Sequence, residues 1–179
     1  MRIFAIAALA LTVAATPAFA QSEDKPFSGF HIEAIGGIDA VSAGGENETG
    51  LVFGGAAGFD IQSSKVVIGA DVEGTMGTAK WCTSGVCVET GRDLYAGARV
   101  GLPIGQQGLV YIRGGYTNAR AKITTGGTTV FTQDLDGVRG GIGIEGRKGM
   151  LLVRAEYRYS NYEQDFERHQ LVLGVGVHF

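Results

Sequence analysis

Along most of this chain a large apolar residue returns at every second position. Residues 171–179 read LVLGVGVHF, with Leu171, Leu173, Val175, Val177 and Phe179 in step and small or polar residues between them. A period of two puts successive side chains on opposite faces of an extended strand. The pattern predicts eight strands, over residues 28–38, 51–62, 66–78, 92–104, 109–122, 137–147, 151–162 and 169–179. Most approach the ~9–11 residues that a tilted strand needs to cross a bilayer. After the first 20 residues no amphipathic helix of comparable clarity is present.

The connections alternate in length. Those around Ser63-Ser64-Lys65, Gly105-Gln106-Gln107-Gly108 and Lys148-Gly149 are short. The other four are longer: DAVSAGGENETG, AKWCTSGVCVET, TTGGTTVFTQDLDG and NYEQDFER. One plain end and one elaborated end mark an up-and-down antiparallel barrel, and outer-membrane barrels keep their short turns on the periplasmic side. Glycine, 30 of 179 residues, far exceeds the usual ~7% but follows no collagen period.

Each strand carries a charged face and an apolar face. Arg154, Glu156 and Arg158 oppose Val153, Ala155, Tyr157 and Tyr159. Asp71 and Glu73 oppose Ile68, Ala70 and Val72, and Glu33 opposes Phe30, Ile32 and Ala34. Arg99, Arg113, Arg139 and Glu145 likewise stand opposite apolar neighbours. In the fifth strand the alternation loses its clarity after Gly114. A soluble, lipocalin-like barrel would turn the charges outward, and a membrane barrel turns them inward.

Three features favour the inward placement. Glycines such as Gly54, Gly58, Gly69, Gly97, Gly115, Gly141, Gly143, Gly174 and Gly176 share the charged faces, where they make room for long side chains in a narrow lumen. The charges balance, as buried charges must. Phe30, Phe53, Phe59, Tyr116, Tyr159 and Phe179 sit near strand ends on the apolar face, like interfacial girdles. The expected fold is an all-β, eight-stranded, antiparallel, up-and-down transmembrane barrel. Its last strand closes against its first, because an open edge in lipid leaves unpaired backbone groups. Phe179 then lies outward at the periplasmic interface.

Residues 1–20, MRIFAIAALALTVAATPAFA, read as a cleaved secretory signal: Arg2, an apolar stretch, then Ala18-Phe19-Ala20. Residues 21–179 then form one barrel domain. A formal net charge of −3 offers no basic surface for nucleic acid. Cys82 and Cys87 lie close together in WCTSGVC; in an oxidising compartment a disulfide is the default, and a metal site lacks further ligands.

These residues resemble the small outer-membrane β-barrels of Gram-negative bacteria, of the OmpA-like or "porin family" group that includes alphaproteobacterial surface antigens. RAEYRYSNYE followed by ERHQLVLGVGVHF is similar to that group's last hairpin. The resemblance implies location in the outer membrane, contact with its lipid, and recognition of Phe179 by the barrel assembly machinery. The family's larger members carry a peptidoglycan-binding domain after the barrel, and that activity is not implied by these residues.

His31 and His178 should face each other inside the periplasmic rim, as a metal or pH-sensitive latch or, the preferred reading, as polar filling. His169 should lie at the outer surface. A lipid-modifying enzyme would need a nucleophile beside a histidine; Ser42, Ser63, Ser64, Ser84 and Ser160 fall mainly in turns and loops, and no G-x-S-x-G elbow is present. No enzyme activity, cofactor or metal is expected. The lumen charges Glu33, Asp71, Glu73, Arg99, Arg113, Arg139, Glu145, Arg154, Glu156 and Arg158 could line a narrow ion path, but eight strands leave room for little beyond side chains, so a salt-bridged plug is preferred. Recognition of an extracellular partner would fall to the long loops, with Trp81, Phe131, Tyr162 and Phe166.

Overall fold

Backbone pairing reaches further than hydrophobic alternation. The computed structural model describes residues 25–43, 46–83, 86–125, 128–163 and 166–179, so the segment read as a signal lies outside the described residues. The described chain forms β1 (Gly29–Ala43), β2 (Glu46–Ser63), β3 (Val66–Gly77), β4 (Lys80–Thr83), β5 (Val86–Ile104), β6 (Gly108–Thr125), β7 (Thr128–Lys148), β8 (Leu151–Tyr162) and β9 (Phe166–His178).

The strands pair in the order β3-β2-β1-β9-β8-β7-β6-β5-β4, with β3 also pairing β5. β3 and β4 are two segments of one stave, both antiparallel to β5 and separated at Thr78-Ala79. Eight staves therefore close into an antiparallel barrel. Ala79 carries the pairing across the break, since its carbonyl accepts from the Thr90 N–H at 3.0 Å. The barrel closes between β1 and β9, from His31↔His178 to Ala43↔Phe166. Beyond the end of β9, the Phe179 N–H still donates to the Phe30 carbonyl at 2.8 Å.

The segments read as long loops are largely paired strand. Asp39–Ala43 faces Glu46–Gly50 rung by rung, and Arg120 through Ile123 pairs with Phe131 through Asp134. The hydrophobic period fades there because both faces leave the apolar belt and carry polar residues, while the ladder hydrogen bonds continue. Alternation in β6 does not fail after Gly114: Thr117 and Ala119 are buried, and Tyr116 is exposed.

The large apolar side chains point outward. Ile32, Ile68, Val72, Ile112, Ile142, Ile144 and Leu173 are each more than half exposed. Phe30, Phe59 and Phe179 ring the short-turn end on this outer face, where the Phe30 and Phe59 rings lie 4.7 Å apart. Phe53 and Tyr116 stand toward the opposite end. This distribution, apolar outside and charged inside, inverts that of a soluble barrel.

Candidate functional site

Because every inward position of one strand faces the inward positions of all the others, the lumen gathers side chains remote in sequence. Seven arginines (Arg99, Arg113, Arg139, Arg147, Arg154, Arg158, Arg168) and eight carboxylates (Glu33, Asp39, Asp60, Asp71, Glu73, Asp93, Glu145, Glu156) are buried there. They form three connected groups along the barrel axis.

At the short-turn end Asp60 on β2 is the centre. Arg147 Nη2 lies 2.7 Å from its Oδ2, Arg99 Nε donates to its Oδ1 at 2.9 Å, and His31 Nδ1 is 3.4 Å away. Glu145 joins the same arginines, at 2.8 Å from Arg99 and 2.6 Å from Arg147. Phe27, Val67, Leu109 and Tyr111 form an apolar layer at this end, and the Arg147 guanidinium sits 5.1 Å from the Phe27 ring.

In the middle Glu73 on β3 meets three strands from across the lumen. Arg158 Nη2 donates to it at 2.8 Å, and Arg139 and Arg113 approach at 3.3 and 3.4 Å. Arg113 also reaches Asp71 at 2.8 Å and stacks 4.1 Å over the Tyr95 ring. Arg154 Nε lies 2.7 Å from Glu33. Glu156 takes Arg158, Arg113 and the Tyr111 hydroxyl.

Toward the long hairpins Asp93 accepts from Arg168 at 2.8 Å, from the Tyr162 hydroxyl at 2.8 Å, from Thr117 at 2.7 Å, and from Arg139. Arg168 is held on its other side by Asp39. Val41, Ala79, Ala119 and Leu135 pack with Tyr162 beyond this group.

All ten lumen charges expected from the sequence lie inside and are brought together. Five partners were missed: Asp39, Asp60, Asp93, Arg147 and Arg168. A signal for them exists. Each keeps the inward parity of residues already identified on its strand, Asp60 that of Gly54 and Gly58, Arg147 that of Arg139 and Glu145. Asp39, Arg147 and Arg168 lie at or beyond the strand ends read from hydrophobicity, so parity was not carried to them; Asp60 and Asp93 lie within those strands.

His31 and His178 are direct register partners, both buried, and His31 Nδ1 lies 3.4 Å from the Asp60 carboxylate. Among the described residues no group of three metal-ligating side chains forms. His169 points outward, with Nδ1 2.7 Å from the Tyr157 hydroxyl. Two expectations are corrected. Tyr162, read as a loop aromatic, is buried in the lumen, and Ser160, read as a turn residue, lies on β8 and accepts from Arg139 Nε at 2.8 Å. Phe131 is a strand residue and exposed. Trp81 and Phe166 belong to β4 and β9, and nothing further is described of their side chains. Ser84 lies outside the described residues. Cys82 and Cys87 are direct register partners, and no described cysteine is free.

The outer face of the long-hairpin end carries exposed ion pairs. Arg120 binds Asp134 through two contacts of 2.7 and 3.0 Å, and Arg92 reaches the same carboxylate at 3.7 Å. The Arg120 hydrogen bond holds the Asp134 carboxyl below its usual range. Lys80 lies 2.6 Å from Glu89 and holds that carboxyl down in the same way.

A closed antiparallel barrel with a charged interior and an apolar exterior defines the class of transmembrane β-barrels. The chain belongs to the outer membrane protein beta-barrel domain family, whose model matches residues 6–179. Among solved structures, Neisserial surface protein A is similar with a TM-score of 0.67 and 19% identity, over 85% of this chain and 98% of that one. Ail, the attachment invasion locus protein of Yersinia pestis, gives 0.61 and 16%, over 85% and 99%. The N-terminal barrel of Pseudomonas aeruginosa OprF gives 0.58 and 16%, over 85% and 98%. At these identities the likeness is one of fold. No curated protein sequence matches.

Proposed function

We propose that this protein is a non-conducting, non-enzymatic surface barrel of the Gram-negative outer membrane, with a structural, antigenic or adhesive role exercised through its long hairpins. The observation that carries the reading is the ion-pair network of the lumen. Arginines on β5 to β9 meet carboxylates on the far wall, and apolar layers of Phe27, Val67 and Leu109, and of Val41, Ala119 and Leu135, lie toward the two ends. An eight-stranded interior so occupied has no continuous water path. A lipocalin-like ligand would need an apolar cavity where these charges stand.

Contact with a partner then falls to the hairpin ends, the part of the barrel with polar residues on its outer surface. Ail, a barrel of the same fold, has a name that denotes attachment and invasion, and its structure in complex with the heparin analogue sucrose octasulfate is similar to this chain. That likeness favours an adhesive role without naming a partner. In this reading residues 1–20 are removed on export, Cys82 and Cys87 join in a disulfide that stiffens one outer hairpin, His31 and His178 fill the lumen, and Phe179 presents the chain to the assembly machinery.

Purified protein in a planar lipid bilayer tests the reading. The expected result is no steady conductance at moderate voltage, together with outer-membrane fractionation and a heat-dependent gel shift. A stable ohmic current from folded protein would overturn the plug and favour a narrow pore.

A further inference from the structure

Glycines divide into two kinds by the face they occupy. On inward positions a side chain would collide: a Cβ on Gly54 would run into the Gly74 carbonyl, one on Gly97 into the Tyr95 hydroxyl and one on Gly174 into the Glu33 carboxylate. Crowding by lumen side chains and the adjacent backbone explains these. Gly55 on β2 and Gly74 on β3 point outward. A Cβ on Gly74 would have Leu94 Cδ2 at 3.7 Å as its nearest neighbour, and one on Gly55 the Glu33 carbonyl at 3.3 Å. Neither has a positive φ. Gly36, Gly114, Gly140 and Gly146 are equally open on the outer face, so openness alone assigns nothing; at Gly55 and Gly74 the missing side chains leave a hollow in the wall.

Gly55 and Gly74 are register partners, and Leu94 is the next residue on the same rung. With Ile32, Ala57 and Val72 they line a depression of about 650 Å³ in the outer wall. Its rim is apolar and continuous with the lipid-facing belt, so hydrocarbon is the natural filling.

Arg92 lies two residues beyond Leu94 on the same face of β5, opposite Met76 on β3, and so roughly 7 Å along the strand from the depression. Arg92 and Arg120 converge on the single carboxylate of Asp134, and the Arg92 Nε has no hydrogen-bond partner. Lys80 and Lys122 stand nearby on β4 and β6, with Glu89 as their only acidic register partner. Among the described residues these four cations are the outward-facing ones of the long-hairpin end; the outward acids on the same strands are Glu89, Asp134 and Asp136, the last of which accepts from Tyr116 and Asn118. Four cations against three acids leave β4 to β7 with one positive charge in excess just past the apolar belt, while Glu163 and Glu167 lie at the ends of β8 and β9.

We infer that this wall holds a phosphate-bearing lipid of the outer leaflet, one acyl chain in the Gly55–Gly74 depression and its phosphate against Arg92 and Arg120. The inference rests on the transmembrane reading. That reading fails separately if the wild-type protein is recovered without detergent or shows no heat-dependent gel shift.

The test uses detergent-purified protein in mixed micelles with lipid A, an acylated glucosamine disaccharide bisphosphate, and counts retained lipid by native mass spectrometry. The expected result is one lipid on the wild type. Arg92→Gln/Arg120→Gln and, separately, Gly55→Val/Gly74→Val should each retain about fivefold less. Each variant is compared only after its gel shift confirms a closed barrel; if the valine pair does not close, Gly55→Ala/Gly74→Ala takes its place. Removing the phosphates from the lipid should reduce retention similarly. Wild-type retention by either variant pair, equal retention of the dephosphorylated lipid, or full displacement by inorganic phosphate alone would overturn the proposal.

Discussion

Arg158 and Glu73 join opposite walls of the barrel. β8 and β3 are four staves apart in either direction around the closed sheet, and Arg158 Nη2 donates to Glu73 Oε2 at 2.8 Å. Arg168 and Asp93 repeat the relationship between β9 and β5, also at 2.8 Å. Such contacts brace the cross-section against collapse and ovalisation. Their geometry makes the central carboxylate far more consequential than any single surface pair.

Glu73→Gln should destabilise the barrel by about 3–5 kcal/mol, because it leaves the buried guanidiniums of Arg113, Arg139 and Arg158 short of a counter-charge. Adding Arg158→Met should recover part of the loss by removing one of those cations. Lys80→Ala, which breaks an exposed and solvent-screened pair, should shift the midpoint little. Urea midpoints in detergent, read from the heat-dependent gel shift, separate the three. Equal midpoints for Glu73→Gln and Lys80→Ala would contradict the lumen assignment.

Inward and outward glycines should answer differently to alanine. Gly97→Ala places a methyl against the Tyr95 hydroxyl and the Gly114 carbonyl and should cost at least about 1–3 kcal/mol. At Gly36 nothing lies within 4 Å of the added atom, so Gly36→Ala should be neutral or stabilise by about 0.4–1 kcal/mol through the unfolded chain. The same unfolding assay decides.

The β6–β7 hairpin end should loosen in acid. Hydrogen bonding to Arg120 lowers the Asp134 carboxyl in the folded protein. A depressed carboxylate contributes stability that is present above its unfolded value of about 4 and is lost as pH falls through its folded value. Amide exchange near Arg120 and Asp134 should therefore be flat from about pH 5 to 8 and accelerate below about pH 4, beyond the ordinary pH dependence of exchange itself. Asp134→Asn should show the faster exchange already at neutral pH.

The Cys82–Cys87 pair should act locally. A bridge closing so short a loop contributes about 2 kcal/mol in the chain-entropy picture. Cys82→Ser/Cys87→Ser should leave the closed barrel intact while increasing proteolysis between β4 and β5. Thiol labelling of unfolded, unreduced protein should find no free cysteine; quantitative labelling would exclude the bridge.

Much of the fold was legible because a strand in a membrane barrel writes its surroundings at every second residue. Glu33, Arg99, Arg154 and Glu156 stand inward as their parity required, and Ile32, Val100 and Val153 outward. What the sequence hid has two causes. Strand length was lost where apolar residues stop marking one face, so Asp39 and Arg168 fell among loops. Pairing across the lumen was lost because it depends on which staves end up diametrically opposed, as with Arg158 and Glu73, and one-dimensional periodicity carries nothing of that angle. Tyr162 combines both: it sits at the last rung of β8, yet its hydroxyl reaches Asp93 on the far wall.

The seam between β1 and β9 sets an order of events. His31 can meet His178 only after every intervening strand exists. Until then β1 presents a free edge along its whole length, a template for pairing with any other chain. Closure is thus the most non-local contact in the molecule and among the slowest to form. A chain of this design must be escorted, because the contact that makes it safe in a membrane is among the last it can make.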